Sequence, residues 1–264
     1  MGLLLSLLRG TKVKLESIFQ YLNGYLSVDG YPDYPHALNG LQVEGPEEIA
    51  HVAVAVDASE CTIAEAVERG ADLLIVHHGL FWGGLEPVTG RHFRKIQKLI
   101  EGKIGLYSCH LPLDSHPEVG NSILLARALR LEIGGQFGGY ENVDVGWWGT
   151  KADGMTSGAL SAELGRILEG AVHVIEGGPE MIEKIGVVTG SGSSFIEESV
   201  ALGLDALITG EGSHHAYFEA MELGITVFFG GHYATETFGV KALGAHLEER
   251  FGLRWEFLEQ PTGL

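Results

Sequence analysis

Short apolar runs alternate along the chain with amphipathic stretches, and this pattern repeats. The segment that begins at Val52 aligns without a gap with the segment that begins at Ile185. In each copy a hydrophobic run, a helical pattern, a Gly-containing turn and a second hydrophobic run follow one another. Such a pattern is typical of a strand–helix–strand unit, in which the crossover makes the two strands parallel.

Further helix and strand patterns follow each copy, and an amphipathic helix is predicted near the start, with Leu15, Ile18, Phe19 and Leu22 on one face. The fold class predicted is therefore α/β, with two related halves from an internal duplication, each a mostly parallel sheet with flanking helices. The predicted segments are 1–130 for the first half, 131–183 for its extension and the connection, and 184–264 for the second half.

Composition narrows the functional classes. The chain has 264 residues and a formal net charge of -18, so a phosphate backbone or an anionic membrane would be repelled. General nucleic-acid binding is thereby disfavoured, but a nucleotide in a local pocket that holds metal cations is not. Only two cysteines occur, Cys61 and Cys109, which favours a reducing compartment. The apolar run Leu3–Leu8 is too short to span a bilayer, and a soluble cytoplasmic protein is expected.

Polar side chains follow four of the predicted strands. His77 and His78 end one strand, and Glu211 follows the corresponding strand of the second copy. Two other strands lead to a histidine with an acidic residue four positions later, and these pairs are His110 with Asp114 and His232 with Glu236. Open parallel sheets bind ligands at the carboxyl ends of their strands, so all four clusters share one kind of location.

Histidine and carboxylate side chains together are the ligands that Zn, Mn, Fe or Co take in hydrolytic sites. Each cluster taken alone has an ordinary structural interpretation, since Asp114 could cap a helix and Glu236 could favour a helix N-terminus. Adjacent residues leave a strand in opposite directions, so His77 and His78 would suit two metals, or one metal at a twisted strand end. The recurrence of the clusters in both halves favours a metal site.

Other candidate motifs give weaker evidence of a functional site. His214 and His215 lie at a predicted helix start and could contribute to the site or cap the helix. The sequence GSGSS at 190–194 could cradle a phosphate, but it lacks the lysine of a P-loop, and a tight turn explains it equally simply. Neither cysteine has the surroundings of a nucleophile, and no dedicated organic-cofactor site is predicted.

These motifs together resemble the Ngg-interacting-factor-three-like family, often filed as GTP cyclohydrolase I type 2 homologues. The resemblance covers nearly the whole chain and rests on ALNGLQVEG (37–45), LLIVHHGLFW (73–82), HLPLD (110–114), GNSILLA (120–126), LITGEGSHH (207–215) and GGHYATE (230–236). It implies a dinuclear metal site between the two halves, with two divalent ions per chain held by His77, His78, Asp114, His232 and Glu236. It also implies a homo-oligomer, commonly a ring-shaped hexamer.

The resulting functional prediction is a dinuclear metal-dependent hydrolase of a small molecule, for which His110 and Glu211 are candidate proton-transfer residues. The family resemblance implies the conversion of GTP to 7,8-dihydroneopterin triphosphate and formate. The alternatives are a metal-binding scaffold or interaction protein without turnover, and another metal-dependent nucleotide or phosphoester hydrolase.

Overall fold

The computed structural model describes residues 11–264, and the apolar run Leu3–Leu8 discussed above lies outside them. The chain forms two compact units. The first comprises Met1–Pro112 and Val240–Gln260, and the second comprises Leu113–Gly239 and Pro261–Leu264. These compact units have other boundaries than the segments predicted from the sequence repeat, which are 1–130, 131–183 and 184–264. The predicted segments describe related halves of the sequence and stay a prediction.

The helices and strands follow one another in the order expected of an α/β protein. Up to residue 114 they are β1 (Val13–Lys14), α1 (Leu15–Tyr25), β2 (Gly40–Val43), β3 (Glu48–Ile49), β4 (His51–Asp57), α2 (Glu60–Arg69), β5 (Leu73–His78), α3 (Gly90–Gly102), β6 (Gly105–Ser108) and α4 (Leu111–Asp114). After it they are α5 (Asn121–Ala128), β7 (Glu132–Tyr140), β8 (Val143–Met155), α6 (Ser157–Leu168), β9 (His173–Glu176), β10 (Ile182–Val187), α7 (Ile196–Ala201), β11 (Ala206–Thr209), α8 (Ala216–Leu223), β12 (Thr226–Phe229), α9 (His232–Thr235), α10 (Thr237–Phe251) and β13 (Arg254–Phe257).

The sheet of the first unit has the strand order β13-β4-β5-β6-β2. Every neighbouring pair is parallel except β2 with β6. β5 is central, and its residues from Leu73 to Val76 are buried. A strand buried on both faces reads as a continuous apolar run rather than an alternating one. The core against this sheet includes Ile63 of α2 and Leu99 of α3, so both helices pack on it.

The sheet of the second unit has the strand order β7-β8-β10-β11-β12-β9. β10, β11 and β12 are parallel, whereas β7, β8 and β9 join by antiparallel pairing. Its core includes Leu160 and Leu164 of α6 together with Phe228 of β12. Parallel strands thus form the centre of this sheet, and antiparallel strands form its edges.

The α/β class is confirmed, and both aligned segments form the strand–helix–strand units that their pattern predicts. The prediction of a mostly parallel sheet holds for the first unit but is wrong for the second, where three of the five strand pairings are antiparallel. The internal duplication itself stays a prediction. Within residues 11–264 no helix is both long enough and apolar enough to cross a bilayer.

Candidate metal centre

His77 is positioned by the end of β5 and is completely buried. Its Nδ1 lies 2.9 Å from the carbonyl oxygen of Cys109. A carbonyl oxygen only accepts hydrogen bonds, so Nδ1 carries the proton and Nε2 of the neutral ring keeps its lone pair. This arrangement is the usual one for a histidine that binds a metal through Nε2, because the hydrogen bond fixes both the tautomer and the ring orientation.

His78 is held by a carboxylate from the neighbouring strand. Asp57 ends β4 and pairs in register with His78, so the two side chains leave the sheet at the same point. The Asp57 Oδ1 atom lies 2.9 Å from His78 Nδ1. A carboxylate at this nitrogen fixes the tautomer and the ring orientation, so that Nε2 is presented as a metal ligand.

His110 follows β6 and is held by a buried carboxylate, Asp33. The His110 Nδ1 atom lies 2.7 Å from Asp33 Oδ1, and the Asn39 side chain accepts a hydrogen bond from the His110 backbone N–H at 2.8 Å. Burial by itself would raise the pKa of Asp33, but the hydrogen bonds and charge of His110, together with hydrogen bonds from Asn39 and the Tyr34 N–H, bring that pKa below its usual range. Asp33 is therefore ionised at neutral pH and accepts a hydrogen bond from His110 Nδ1–H.

The three imidazoles of the first unit converge. His77, His78 and His110 each offer one nitrogen, and these ligand atoms all lie within 4.8 Å of one another. The ring centroids of His77 and His78 are 4.7 Å apart, although neighbouring residues on an ideal strand point in opposite directions. The end of β5 therefore departs from the ideal alternation, as a twisted strand end would. The indole of Trp82 packs edge-on against His110, with a centroid distance of 4.7 Å.

In the second unit, α9 starts at His232 and places Glu236 one turn later. The His232 Nε2 atom lies 3.2 Å from Glu236 Oε2, and its Nδ1 lies 2.9 Å from Glu211 Oε1. The pKa of His232 is raised to about 9, chiefly by the hydrogen bond to Glu236, with burial opposing the rise and Glu211 adding to it. The four-residue spacing of His232 and Glu236 thus brings their side chains together at α9.

Asp114 is the second carboxylate of this unit. It is buried and accepts hydrogen bonds from Asn121 Nδ2 at 2.8 Å and Thr189 Oγ1 at 3.2 Å. One of its oxygens lies within 4.8 Å of a carboxylate oxygen of Glu236, which is also buried. Two buried carboxylates this close repel one another when both are ionised, and a divalent cation between them would remove that repulsion. The donor set and its burial therefore fit a metal ion.

Gly190 shapes the space around Glu236. It has a φ angle of +67°, and a Cβ atom there would collide with Glu236 Oε1 and lie 3.5 Å from His232 Nε2. Only glycine provides both this backbone conformation and this close approach. The backbone N–H groups of Gly190 and Gly192 donate to Thr235 Oγ1 and Thr209 Oγ1, so these two N–H groups of GSGSS stabilise the turn itself.

Sequence reasoning identified the histidines but missed two of the carboxylates that hold them, Asp57 and Asp33. The position of Asp57 at the end of the strand next to β5 is a signal that could have identified it. Asp33 lies in a loop without regular pattern, so the sequence offered none. His214 and His215 lie just before α8, and His215 Nε2 lies 3.0 Å from Ser213 Oγ.

Comparison with known proteins identifies the family of the chain. The sequence profile of the family described as Duf34/NIF3 (NGG1p interacting factor 3) matches residues 13–262. The chain belongs to the Duf34/NIF3 family. The family resemblance drawn from the motifs is thereby confirmed.

Relatives in this family include a protein of Halobacterium salinarum, 46% identical over 92% of this chain and 96% of its own length. Another, from Deinococcus radiodurans, is 43% identical over 94% of both chains. Both are named GTP cyclohydrolase 1 type 2 homolog. The solved structure of TTHA1606 from Thermus thermophilus is 41% identical, covers 96% of this chain and 100% of its own, and superposes with a TM-score of 0.84. The Duf34/NIF3 fold of this chain is therefore shared with an experimentally determined structure.

Proposed function

We propose that this Duf34/NIF3 protein is a metal-dependent hydrolase. One observation carries the proposal: three imidazoles of the first unit converge within 4.8 Å, and an oxygen acceptor holds the Nδ1 atom of each. Structural histidines rarely come in such a set, whereas metal-binding histidines commonly donate Nδ1–H to a carboxylate or carbonyl oxygen.

The metal ligands proposed are His77 and His78 of the first unit and Asp114, His232 and Glu236 of the second, with two divalent ions per chain. The mixture of imidazole and carboxylate suits Zn, Fe, Mn or Co, among which cellular supply would decide. The close pair of buried carboxylates in the second unit supports the proposal, since cations would offset their charge. Bound divalent ions would supply Lewis acidity and make water a nucleophile at neutral pH.

The residues of the chain would manage the proton transfers. His110 is a candidate acid–base group, because the buried Asp33 carboxylate holds Nδ1 and orients the ring with Nε2 available for proton exchange. Glu211 is half exposed and accepts the hydrogen bond of His232 Nδ1. It therefore orients His232, and its predicted role in proton transfer stays a prediction.

The names of the relatives support a purine substrate. We infer that the substrate is GTP or a similar nucleotide, and that water attacks the C8 carbon of the purine and opens the imidazole ring. A second water then hydrolyses the formamide and releases formate, and the freed amine condenses with the rearranged ribose, with loss of one water, to give 7,8-dihydroneopterin triphosphate. The ring-shaped hexamer and a cytoplasmic location likewise stay predictions. An interaction protein without turnover is the second candidate, which the family description as an interacting factor favours.

The proposal is tested in two stages. The protein, purified without chelators, is analysed for metals, and about two transition-metal ions per chain are expected. His78→Ala and Glu236→Ala should each lose metal while the circular dichroism spectrum is kept. His36→Ala, at an exposed histidine outside the site, is the matched control. Retention of full metal content by both site variants would refute the ligand assignment.

The second stage measures formate after incubation with GTP at saturating Mn²⁺ or Zn²⁺. Formate release that Asp114→Ala abolishes supports the hydrolase. Intact metal binding with no turnover of any nucleotide in a panel supports the interaction protein instead. Release of phosphate without formate would identify a phosphoesterase.

A further inference from the structure

A cavity of about 510 Å³ opens in the second unit. It lies where β11 and β12 end and β9 begins, which is one edge of the sheet. This volume is within the usual range for sites that bind small molecules. The cavity is lined by His173, Ile175, Gly210, Glu211, Gly212, Ser213, His214, Tyr217 and Phe229.

Two of the lining rings stack on one another. His173 and Phe229 are register partners on the antiparallel strands β9 and β12, so their side chains leave the same face of the sheet. Their ring planes differ by only 15°, and the centroids are 6.0 Å apart. His173 is exposed, so a planar ligand has access to this pair and can extend its stack. Tyr217, about half exposed, adds a third aromatic ring to the cavity wall.

The polar groups indicate what the planar ligand carries. Glu211 contributes a carboxylate, of which Oε1 accepts the hydrogen bond of His232 Nδ1. A carboxylate offers about four acceptor positions, so Glu211 can also accept N–H groups of a ligand. Within residues 11–264, no lysine or arginine lines the cavity. A phosphate therefore finds no permanently cationic side chain from this part of the chain, whereas a neutral heterocycle with adjacent N–H donors finds both a stacking surface and an acceptor.

We propose that this cavity binds the base of a nucleoside, with the ring stacked on His173 and Phe229 and its N–H edge at Glu211. The inference rests on the proposed function and deepens it, because Glu211 connects the cavity directly to the candidate metal ligand His232. A base with two adjacent N–H donors, as in guanine, fits a carboxylate better than one that presents an amino group beside a ring acceptor, as in adenine.

The test is calorimetric titration of the full-length, chelator-treated protein with guanosine, adenosine and inorganic phosphate. Guanosine should bind more tightly than adenosine, and phosphate should not bind. His173→Ala and Glu211→Ala should each weaken guanosine binding about tenfold. Glu211→Gln should reduce the preference for guanosine over adenosine. Met221→Ala is the matched control, because Met221 lies exposed on the same helix as Tyr217 but outside the cavity, and it should leave binding unchanged.

Several outcomes would overturn the inference. Absence of guanosine binding by a protein that still binds metal refutes the cavity assignment while leaving the metal proposal intact. Equal guanosine affinity in all variants refutes it as well. A change in oligomeric mass with Tyr217→Ala, without nucleoside binding, would identify this face as an interface between copies. Conversely, guanosine binding with neither formate nor phosphate released from GTP would refute the hydrolase and retain the cavity.

Discussion

At the scale of single residues, the metal-binding capacity of the candidate centre depends on the histidines and equally on the oxygen atoms that hold their Nδ1 atoms. A neutral imidazole has two tautomers, and only one of them presents Nε2 as a ligand. The Cys109 carbonyl, Asp57 and Asp33 select that tautomer for His77, His78 and His110. Removing such an oxygen should therefore weaken metal binding without removing a ligand.

Asp57→Ala tests this expectation. The variant should bind a transition metal about 10- to 100-fold more weakly, because His78 loses the partner that orients it. Asp57→Asn, which keeps an acceptor but not the charge, should lie between the variant and the wild type. Competition with a chromophoric chelator measures the affinity. Asp153→Ala, at an exposed carboxylate on β8, serves as the control. An affinity of Asp57→Ala equal to that of the control would contradict a role for this hydrogen bond.

The raised pKa of His232 predicts how the stability of the metal-free protein changes with pH. The pKa is about 9 in the folded chain, against 6.5 ordinarily, so the protonated ring stabilises the fold. This stabilisation should be fully present below about pH 6.5 and lost as the pH rises through about 9. A loss of about 2 kcal/mol is expected, since each pKa unit corresponds to about 1.4 kcal/mol and partial exposure reduces the effect.

Urea unfolding of the chelator-treated protein between about pH 6 and pH 10 measures this loss. His232→Gln should remove most of the dependence in this range, because glutamine does not titrate. A wild-type curve as flat as that of the variant would show that the Glu236 and Glu211 contacts do not stabilise the charged ring.

At the scale of elements, the sequence predicted the buried central strands and missed β7. The continuous apolar run of β5 and the repeat of its pattern in β11 were sufficient to place both. β7 contains four glycines among nine residues and shows little apolar pattern, and its pairing with β8 supplies the order that the sequence does not signal. β7 escaped prediction for this reason, whereas the strands β8 and β9 were predicted but not their antiparallel pairing in the second sheet.

The turn after β10 gives a prediction at the same scale. Gly190→Ala should lower metal affinity strongly, because the new Cβ would displace the Glu236 carboxylate. Gly203→Ala is the matched control, since Gly203 also has a positive φ, +74°, but a Cβ there meets no atom within 4 Å. Both variants should lose about 1 kcal/mol of stability from backbone strain. Measurement of metal content together with urea unfolding separates the two effects, and equal metal content in both variants would exclude the collision.

At the scale of the whole molecule, chain order and spatial order differ in a way that local pattern did not show. The last strand, β13, pairs with β4, so Val240–Gln260 belongs to the first unit although it follows the second in sequence. Hydrophobic periodicity reports which face of an element is buried, but not which sheet receives it. The predicted α/β class follows from alternation of elements along the chain, whereas unit boundaries depend on strand pairing between distant segments.

Net charge also acts at this scale. With a formal charge of -18, the chain should attract any divalent cation, so thermal stabilisation by a transition metal is informative only relative to a cation of equal charge. At a free concentration of about 100 times Kd, a metal that binds only the folded chain adds about 2.7 kcal/mol to the free energy of unfolding, or roughly 5–10 °C in Tm.

Mn²⁺ or Zn²⁺ should produce this Tm shift in the chelator-treated protein. Mg²⁺ prefers oxygen ligands and should produce little. His78→Ala should reduce the Tm shift produced by Mn²⁺ or Zn²⁺ to the level seen with Mg²⁺, because the imidazole provides the selectivity for transition metals. Equal Tm shifts for all cations in the wild type would assign the stabilisation to net charge alone.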